Sequence, residues 1–401
     1  MRIVYDASTR ATPEAPSLND CLFTGPPLQN KIWDILVQQR TYPVGVAADI
    51  KRAFLQIRVK ESERNALKFH WQPSINAEVE TYRFTRVLFG LGPSPFLLGG
   101  VIESHLDAWS MRYPEEVARL RRSFYVDDLL SGGNDMAQAQ ARKERAIEIM
   151  KDATFELHKW NSNCPELEGT REVNKCEDRS FAKQQFQVSP NESSLLGLKW
   201  DKAADRLSVV FPRNECATTK REVLRQLAKV YDPLGLASPT TLLGKLIFRD
   251  IYDSKIAWDA PLTKELRRRW ERYEHSLPQQ VSSPRPLAPY HQPTTSVELH
   301  TFGDASINGV GTAVYSVVRQ ENRTTQTLVA AKSRLAKKGL TVPRLELVSA
   351  HMATNFVTNV RNAWADLKEV SIFGWLDSSV ALHWILGNGQ YRQFVSNRVK
   401  K

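Results

Sequence analysis

Phe124-Tyr125-Val126-Asp127-Asp128-Leu129-Leu130 sets two adjacent acids inside an apolar run, and the segment reads as a β-hairpin with the acids at its turn. Neighbouring aspartates repel each other and are poor strand formers, so a fold tolerates them there when a cation neutralises the pair. A solvated Asp-Asp turn is the plainer alternative. The surroundings weigh against it. Seventy-eight residues before Asp127 the apolar run Val44-Gly45-Val46-Ala47-Ala48 ends in Asp49. An acid closing a buried strand is costly unless it is paired or metal-bound. In Asp49-Ile50-Lys51-Arg52-Ala53-Phe54 an aromatic residue follows five positions on. Between the two acidic segments, Val87-Leu88-Phe89-Gly90-Leu91-Gly92-Pro93-Ser94-Pro95-Phe96 is a Gly/Pro turn entering a helix.

Outward from this core the chain reads as α+β. Leu28, Ile32, Ile35 and Leu36 have helical spacing. Ala66–Trp71 and Val79–Leu88 read as strands around a turn at Gln72–Asn76, Pro93–Trp109 as a buried helix, and Ala137–Ala153 as a long polar-faced one. Leu195–Trp200 and Leu207–Phe211 form a hairpin, and the pattern is helical from Thr218 to Ser276. The Pro-, Ser- and Gln-rich stretch from Leu277 through Thr295 reads as a semi-extended linker. Of 401 residues 42% are hydrophobic and 25% charged, which excludes a disordered chain. No run approaches the roughly 20 apolar residues of a membrane span, and Met1–Asp6 carries no signal peptide. Cys21, Cys164, Cys176 and Cys216 lack metal-ligand spacing and read as free thiols in a reducing compartment. Fifty-five basic against 44 acidic residues give +11, which favours a polyanionic partner, although a protein that is simply basic would look the same. The cationic faces of Thr219–Val230 and of Lys264–Arg272 likewise read as solvated helix surface or as phosphate contacts. Trp200, Trp258 and Trp270 read as packing residues.

A strand-terminal acid with an aromatic five residues on, then FGL-x2-SP, then Y-x-DD, resembles the palm of reverse transcriptases. Arg2-Ile3-Val4-Tyr5-Asp6-Ala7-Ser8, Leu196-Gly197-Leu198-Lys199-Trp200 and Tyr231-Asp232-Pro233-Leu234-Gly235-Leu236 narrow the resemblance to Bel/Pao-type long-terminal-repeat retrotransposon polyproteins, over essentially the whole chain. The resemblance implies a right-hand polymerase: fingers and palm over residues 1–217, a helical thumb and connection over 218–277, a linker over 278–296, and an α/β ribonuclease H-like domain over 297–401. It implies RNA-directed DNA synthesis with Mg²⁺ or Mn²⁺, two ions per site, on an RNA or DNA template–primer duplex from deoxynucleoside triphosphates. Asp49 and Asp127 become the shared metal ligands, and Asp128 the third acid. Tyr125 lies in the nucleotide site with Phe54, a steric gate against the 2′-hydroxyl or else a core ring. Gly90 would permit close backbone approach, Lys159 would sit near the triphosphate or be merely solvated, and Arg2 matches a triphosphate-gripping arginine. A non-catalytic, nucleic-acid-binding remnant is the rival reading; an RNA-templated RNA polymerase is a second, which Phe54 argues against.

Past the linker, Val297–Ser306 is a strand ending in Asp304-Ala305-Ser306, followed by a Gly-rich turn into a second strand. Pro343-Arg344-Leu345-Glu346-Leu347 opens a helix, and Val370–Trp375 is a strand that delivers Asp377. This order is similar to ribonuclease H folds, and the similarity implies that Asp304, Glu346 and Asp377 converge on two metal ions. Separately, Glu346 would complement the helix dipole and Asp377 would cap the next helix. The resemblance further implies fingers strands ahead of Arg2, a fourth carboxylate and a final strand; the sequence contains none of these. The chain is therefore expected to be a piece truncated at both modules, with weak or no ribonuclease activity. Its expected location is the cytoplasm, within the element's virus-like particle.

Overall fold

The computed structural model describes residues 5–169, 192–212, 216–290, 292–364, 367 and 369–399. In chain order the first elements are α1 (Leu18–Cys21), α2 (Ile32–Gln39), β1 (Val44–Ile50), α3 (Ala53–Gln56), β2 (Lys68–Trp71), β3 (Glu80–Arg83) and α4 (Ser94–Trp109). Then come α5 (Pro114–Ser123), β4 (Phe124–Tyr125), β5 (Asp128–Gly133), α6 (Met136–Asp152), β6 (Leu157–Ser162), β7 (Glu192–Leu195), β8 (Leu198–Asp201) and β9 (Arg206–Val210). Helices α7 (Lys220–Ala228), α8 (Ser238–Asp253) and α9 (Lys264–Ser276) precede β10 (Gln280–Pro284). The last elements are β11 (Thr294–Ala305), β12 (Gly309–Gln320), β13 (Arg323–Leu335), α10 (Val342–Ala363), β14 (Val370–Trp375), α11 (Ser379–Leu386) and α12 (Gln393–Val399). The chain divides into two compact units, Met1–Lys31 with Val46–Thr170, and Ile32–Gly45 with Arg171–Lys401.

In the first unit β4, β5, β1 and β6 form one sheet in that order. Strand β1 is buried along its length except at Asp49, as its apolar sequence dictates. It pairs antiparallel with β6, Asp49 opposite His158, through an irregularity between Ala47 and Asp49 that re-aims the acid. Helix α4 begins on Ser94-Pro95 and buries Leu98, Ile102 and Leu106, four residues apart and therefore on one face. Asp135 caps α6 by accepting from the Gln138 N–H. Leu98, Ile102, Leu106, Leu120, Leu129, Ile149 and Met150 share one core with Ile50 and Phe54. Burial of each large aliphatic side chain there contributes about 2 kcal/mol.

In the second unit β10, β9, β8 and β7 form a sheet in that order. Helices α7 to α9 close around Val223, Ile251, Leu266, Trp270 and Tyr273, and a Thr219/Glu222 capping box starts α7. A second sheet has the order β13-β12-β11-β14, with β11–β12 and β12–β13 antiparallel and β14 parallel to β11. A parallel pair needs a long crossover, and α10 supplies it. Trp200 and Trp270 are buried, as expected, while Trp258 is partly exposed.

Two findings differ from the sequence reading. Inside the expected linker, Gln280–Pro284 is a strand paired with Arg206–Val210. Its polar composition hides this because Arg285, fully buried, is satisfied by Asp205 and backbone carbonyls rather than by apolar contacts. Helix α2 and the chain leading into β1 group with the second unit, and so do β7 to β9.

Candidate active sites

The Ile50 N–H donates to the Asp127 carbonyl at 2.9 Å, so the end of β1 and the hairpin tip meet directly. Tyr125 pairs with Asp128 across the tip, and Val126 between them has a φ of 56°, a left-handed conformation that a β-branched residue rarely adopts. Burial, and then the charge of Asp49, raise the Asp127 carboxyl above its ordinary range. Asp128 is pushed up to about 6 by burial, then by Asp127 and Asp49. Burial is the larger cause at both positions, and the neighbouring carboxylates add to it. Lys159 Nζ lies 3.4 Å from Asp49 Oδ2, and His158 Nε2 lies 3.6 Å from the same oxygen. Lys159 also has a positive φ, 52°; strained backbone therefore flanks the acids on both strands.

The remaining expected residues are placed as follows. Phe54 is buried in the core, edge-on to the half-exposed Phe89 at 4.7 Å. Gly90 has a φ of 86°, and a Cβ there would lie 3.2 Å from the Tyr5 carbonyl oxygen, so the turn favours glycine. Arg2 lies outside the described residues, as does Cys176; Cys21 and Cys216 are free thiols.

The second set is tighter. Asp304 ends β11, Glu346 lies in α10, and Asp377 follows β14; one oxygen of each lies within 4.8 Å of the others. Among the described residues this is the one trio of such side chains so close. Glu346 is buried, and its Oε2 has no hydrogen-bond partner. Burial raises its carboxyl above the ordinary range, with further rises from Asp304 and Asp377. The plainer readings of these acids do not describe them. Ser378, not Asp377, caps α11 by accepting from the Ala381 N–H, and the first turn of α10 holds no acid.

Both sets offer carboxylate oxygens, the first with Lys159 beside Asp49 and the second with an orphaned buried oxygen. Such donors fit hard divalent cations such as Mg²⁺ or Mn²⁺. Asp49, Asp127 and Asp128 would hold ions in the first unit, and Asp304, Glu346 and Asp377 in the second.

Two features escaped the sequence reading. His158 reaches Asp49 only because β1 and β6 pair. A row of rings runs along β11, β12 and β14, where His300 stacks on Phe373 at 5.0 Å, Phe302 stacks on Trp375 at 6.2 Å, and Tyr315 meets Phe302 edge-on. Its signal was the alternation in His300-x-Phe302 and Phe373-x-Trp375.

Fold and carboxylate placement together define a class: a reverse transcriptase domain followed by a ribonuclease H-like domain. Residues 9–162 match the family of reverse transcriptases (RNA-dependent DNA polymerases), and residues 219–378 match the Pao retrotransposon-like RNaseH-like domain. The chain thus carries a reverse transcriptase domain followed by a domain that matches the Pao retrotransposon model. No curated protein matches its sequence. Among solved structures it resembles the foamy viral protease–reverse transcriptase dRH in complex with double-stranded DNA, with a TM-score of 0.52 and 14% identity over 92% of this chain. It spans 56% of that protein's length. The foamy viral protease–reverse transcriptase in complex with an RNA/DNA hybrid aligns over 93% of this chain and 44% of its own, with 14% identity and a TM-score of 0.49. Among the described residues no helix is long and apolar enough to cross a membrane.

Proposed function

We propose that the chain is an RNA-directed DNA polymerase, extending a DNA primer on an RNA or DNA template within the element's virus-like particle. The hydrogen bond from Ile50 to Asp127 carries the reading, because it brings side by side two acidic segments far apart in sequence. Asp49 and Asp127 hold the two divalent ions, and Asp128 supports them electrostatically. When bound, such ions lower the pKa of the primer 3′-hydroxyl and stabilise charge on the departing pyrophosphate. Phe54 backs the sugar of the incoming deoxynucleotide and collides with a 2′-hydroxyl, with Tyr125 and Gly90 bordering the same nucleotide. Lys159 and Arg2 hold the triphosphate. The cationic faces of α7 and α9 track the duplex backbone.

Asp304, Glu346 and Asp377 hold ions for hydrolysis of the RNA strand of a hybrid.

Primer extension on an RNA template with Mg²⁺ or Mn²⁺ tests the polymerase. Wild type extends the primer, and Asp127→Asn falls about 100-fold or more, as expected on losing several kcal/mol of charge stabilisation. The pairing of Lys159 with Asp49 favours a second reading, a non-catalytic nucleic-acid-binding remnant. Duplex binding without any extension by wild type would establish that reading instead.

A further inference from the structure

The turn Phe89-Gly90-Leu91-Gly92 is gripped by one side chain from another element, Asn19 of α1. Its Nδ2 donates to the Gly90 carbonyl at 2.9 Å, and its Oδ1 accepts from the Gly92 N–H at 2.8 Å. Nδ2 also donates to Ser8 Oγ at 3.2 Å. The amide therefore spans the turn as a neighbouring strand would, satisfying one backbone acceptor and one backbone donor together. Those partners fix which end of the side chain is oxygen and which is nitrogen. Among side chains of this size only asparagine serves both. Aspartate would set a carboxylate oxygen against the Gly90 carbonyl, and leucine would leave both backbone groups unpaired.

Asn19 is itself anchored. Its own N–H donates to the Ala7 carbonyl at 3.0 Å. A capping box between Ser17 and Asp20 starts the short helix that bears it, and Arg10 pairs with Asp20 at 2.8 Å. All of these residues and the turn belong to the first unit. Behind the turn, Leu88 and Leu91 are buried in one cluster with Ala7 and Leu67, and Ser94 Oγ donates to the Leu88 carbonyl at 2.5 Å. Phe89 is different. Its ring is 53% exposed and meets Phe54 edge-on at 4.7 Å. The stand of that ring is set by the backbone beneath it, and Asn19 holds the backbone one residue away.

We propose that Asn19 is a positioning residue for sugar selection in the polymerase site. By fixing the Phe89–Gly90 turn it braces the Phe54 ring, so that the ring does not yield to a 2′-hydroxyl. The inference rests on the polymerase reading and on Phe54 as its gate. Its mechanical link is short: Asn19 bonds the residue after Phe89, and Phe89 touches Phe54. Edge-to-face ring contacts are directional, and a ring that loses its neighbour gains freedom to tilt.

Two measurements test this. Single-nucleotide incorporation is followed with a deoxynucleotide and with the matching ribonucleotide on one preparation, so that the fraction of active enzyme cancels from their ratio. Asn19→Ala should lower the preference for the deoxynucleotide about 10-fold, the scale of a small change in a pocket wall. The change should lie in a lower KM for the ribonucleotide, with kcat for the deoxynucleotide within about threefold of wild type. In hydrogen exchange on the full chain, the Gly92 amide should exchange about 5- to 10-fold faster in the same variant, as expected on losing one hydrogen bond, while amides of α6 keep their rates. If Asn19→Ala does not fold, Asn19→Asp keeps the acceptor for Gly92 and loses the donor to Gly90. It should show the same loss of preference with the Gly92 amide still protected. Variants that keep the parent's sugar preference, in a protein that extends primers, overturn this inference and leave the polymerase reading standing. So does a Gly92 amide that exchanges at the parent's rate in Asn19→Ala. A wild type that never extends primers overturns both.

Discussion

At the hairpin tip Asp128 sits half-buried beside two like charges, with its pKa raised from 3.8 to about 6. A folded-state pKa above the unfolded one means that the folded protein holds this proton more tightly. The group's contribution to stability is therefore complete below pH 4 and is lost as pH rises through 6. Metal-free Asp128→Asn should accordingly melt about 2 °C above wild type at pH 7.5 and converge with it near pH 4, while losing primer extension. Equal melting at pH 7.5 would refute the repulsion. Phe54 poses a different question, because it is both buried and the expected gate. Phe54→Val should cost about 1–3 kcal/mol as a core truncation. It should also raise ribonucleotide over deoxynucleotide incorporation about 10-fold or more if the ring meets the sugar. A loss of stability with unchanged sugar selectivity would leave Phe54 a core residue. The three aspartates were legible because acids inside apolar runs contradict their surroundings. His158 was not, since nothing in its local sequence reveals which strand will lie beside it.

The strand β10 shows where composition misleads. Pro284, Pro286 and the serines read as a tether, yet the strand pairs with β9 over five residues and leads into the buried Arg285. Limited digestion with a nonspecific protease such as subtilisin should spare residues 280–287; rapid cutting there would show a tether after all. A polar strand whose satisfaction comes from one arginine carries no apolar period for a sequence to display. The start of helix α10, by contrast, was legible from Pro343, which suits a first helical turn. It brings Glu346 under Asp304 and Asp377 with a buried oxygen unpartnered. Glu346→Gln should weaken Mn²⁺ binding by the second unit about 10-fold or more, measured by calorimetry on the Asp127→Asn background. Affinity equal to that of the parent would remove Glu346 from the ligand set.

At the scale of the molecule, the excess of basic residues bears on the partner rather than the fold. If α7 and α9 track a duplex through six or more phosphates, affinity for an RNA–DNA hybrid should fall about 10³-fold or more between 50 and 200 mM salt. Fluorescence anisotropy reads this, and a flat response would leave the charge as ordinary surface. The two domains were legible in their order of motifs. Their division was not, because the chain from Ile32 to Gly45 packs with partners far downstream such as Phe356 and Arg285. Iron-mediated cleavage tests the metal assignment most directly. With Fe²⁺ in place of Mg²⁺ and ascorbate to generate radicals at the bound ion, the backbone should be cut beside Asp49 and Asp127 as well as beside Asp304 and Asp377, and excess Mg²⁺ should suppress both sets of cuts. Cleavage confined to the second set would show that Asp49, Asp127 and Asp128 hold no metal, and the polymerase reading would fall with them.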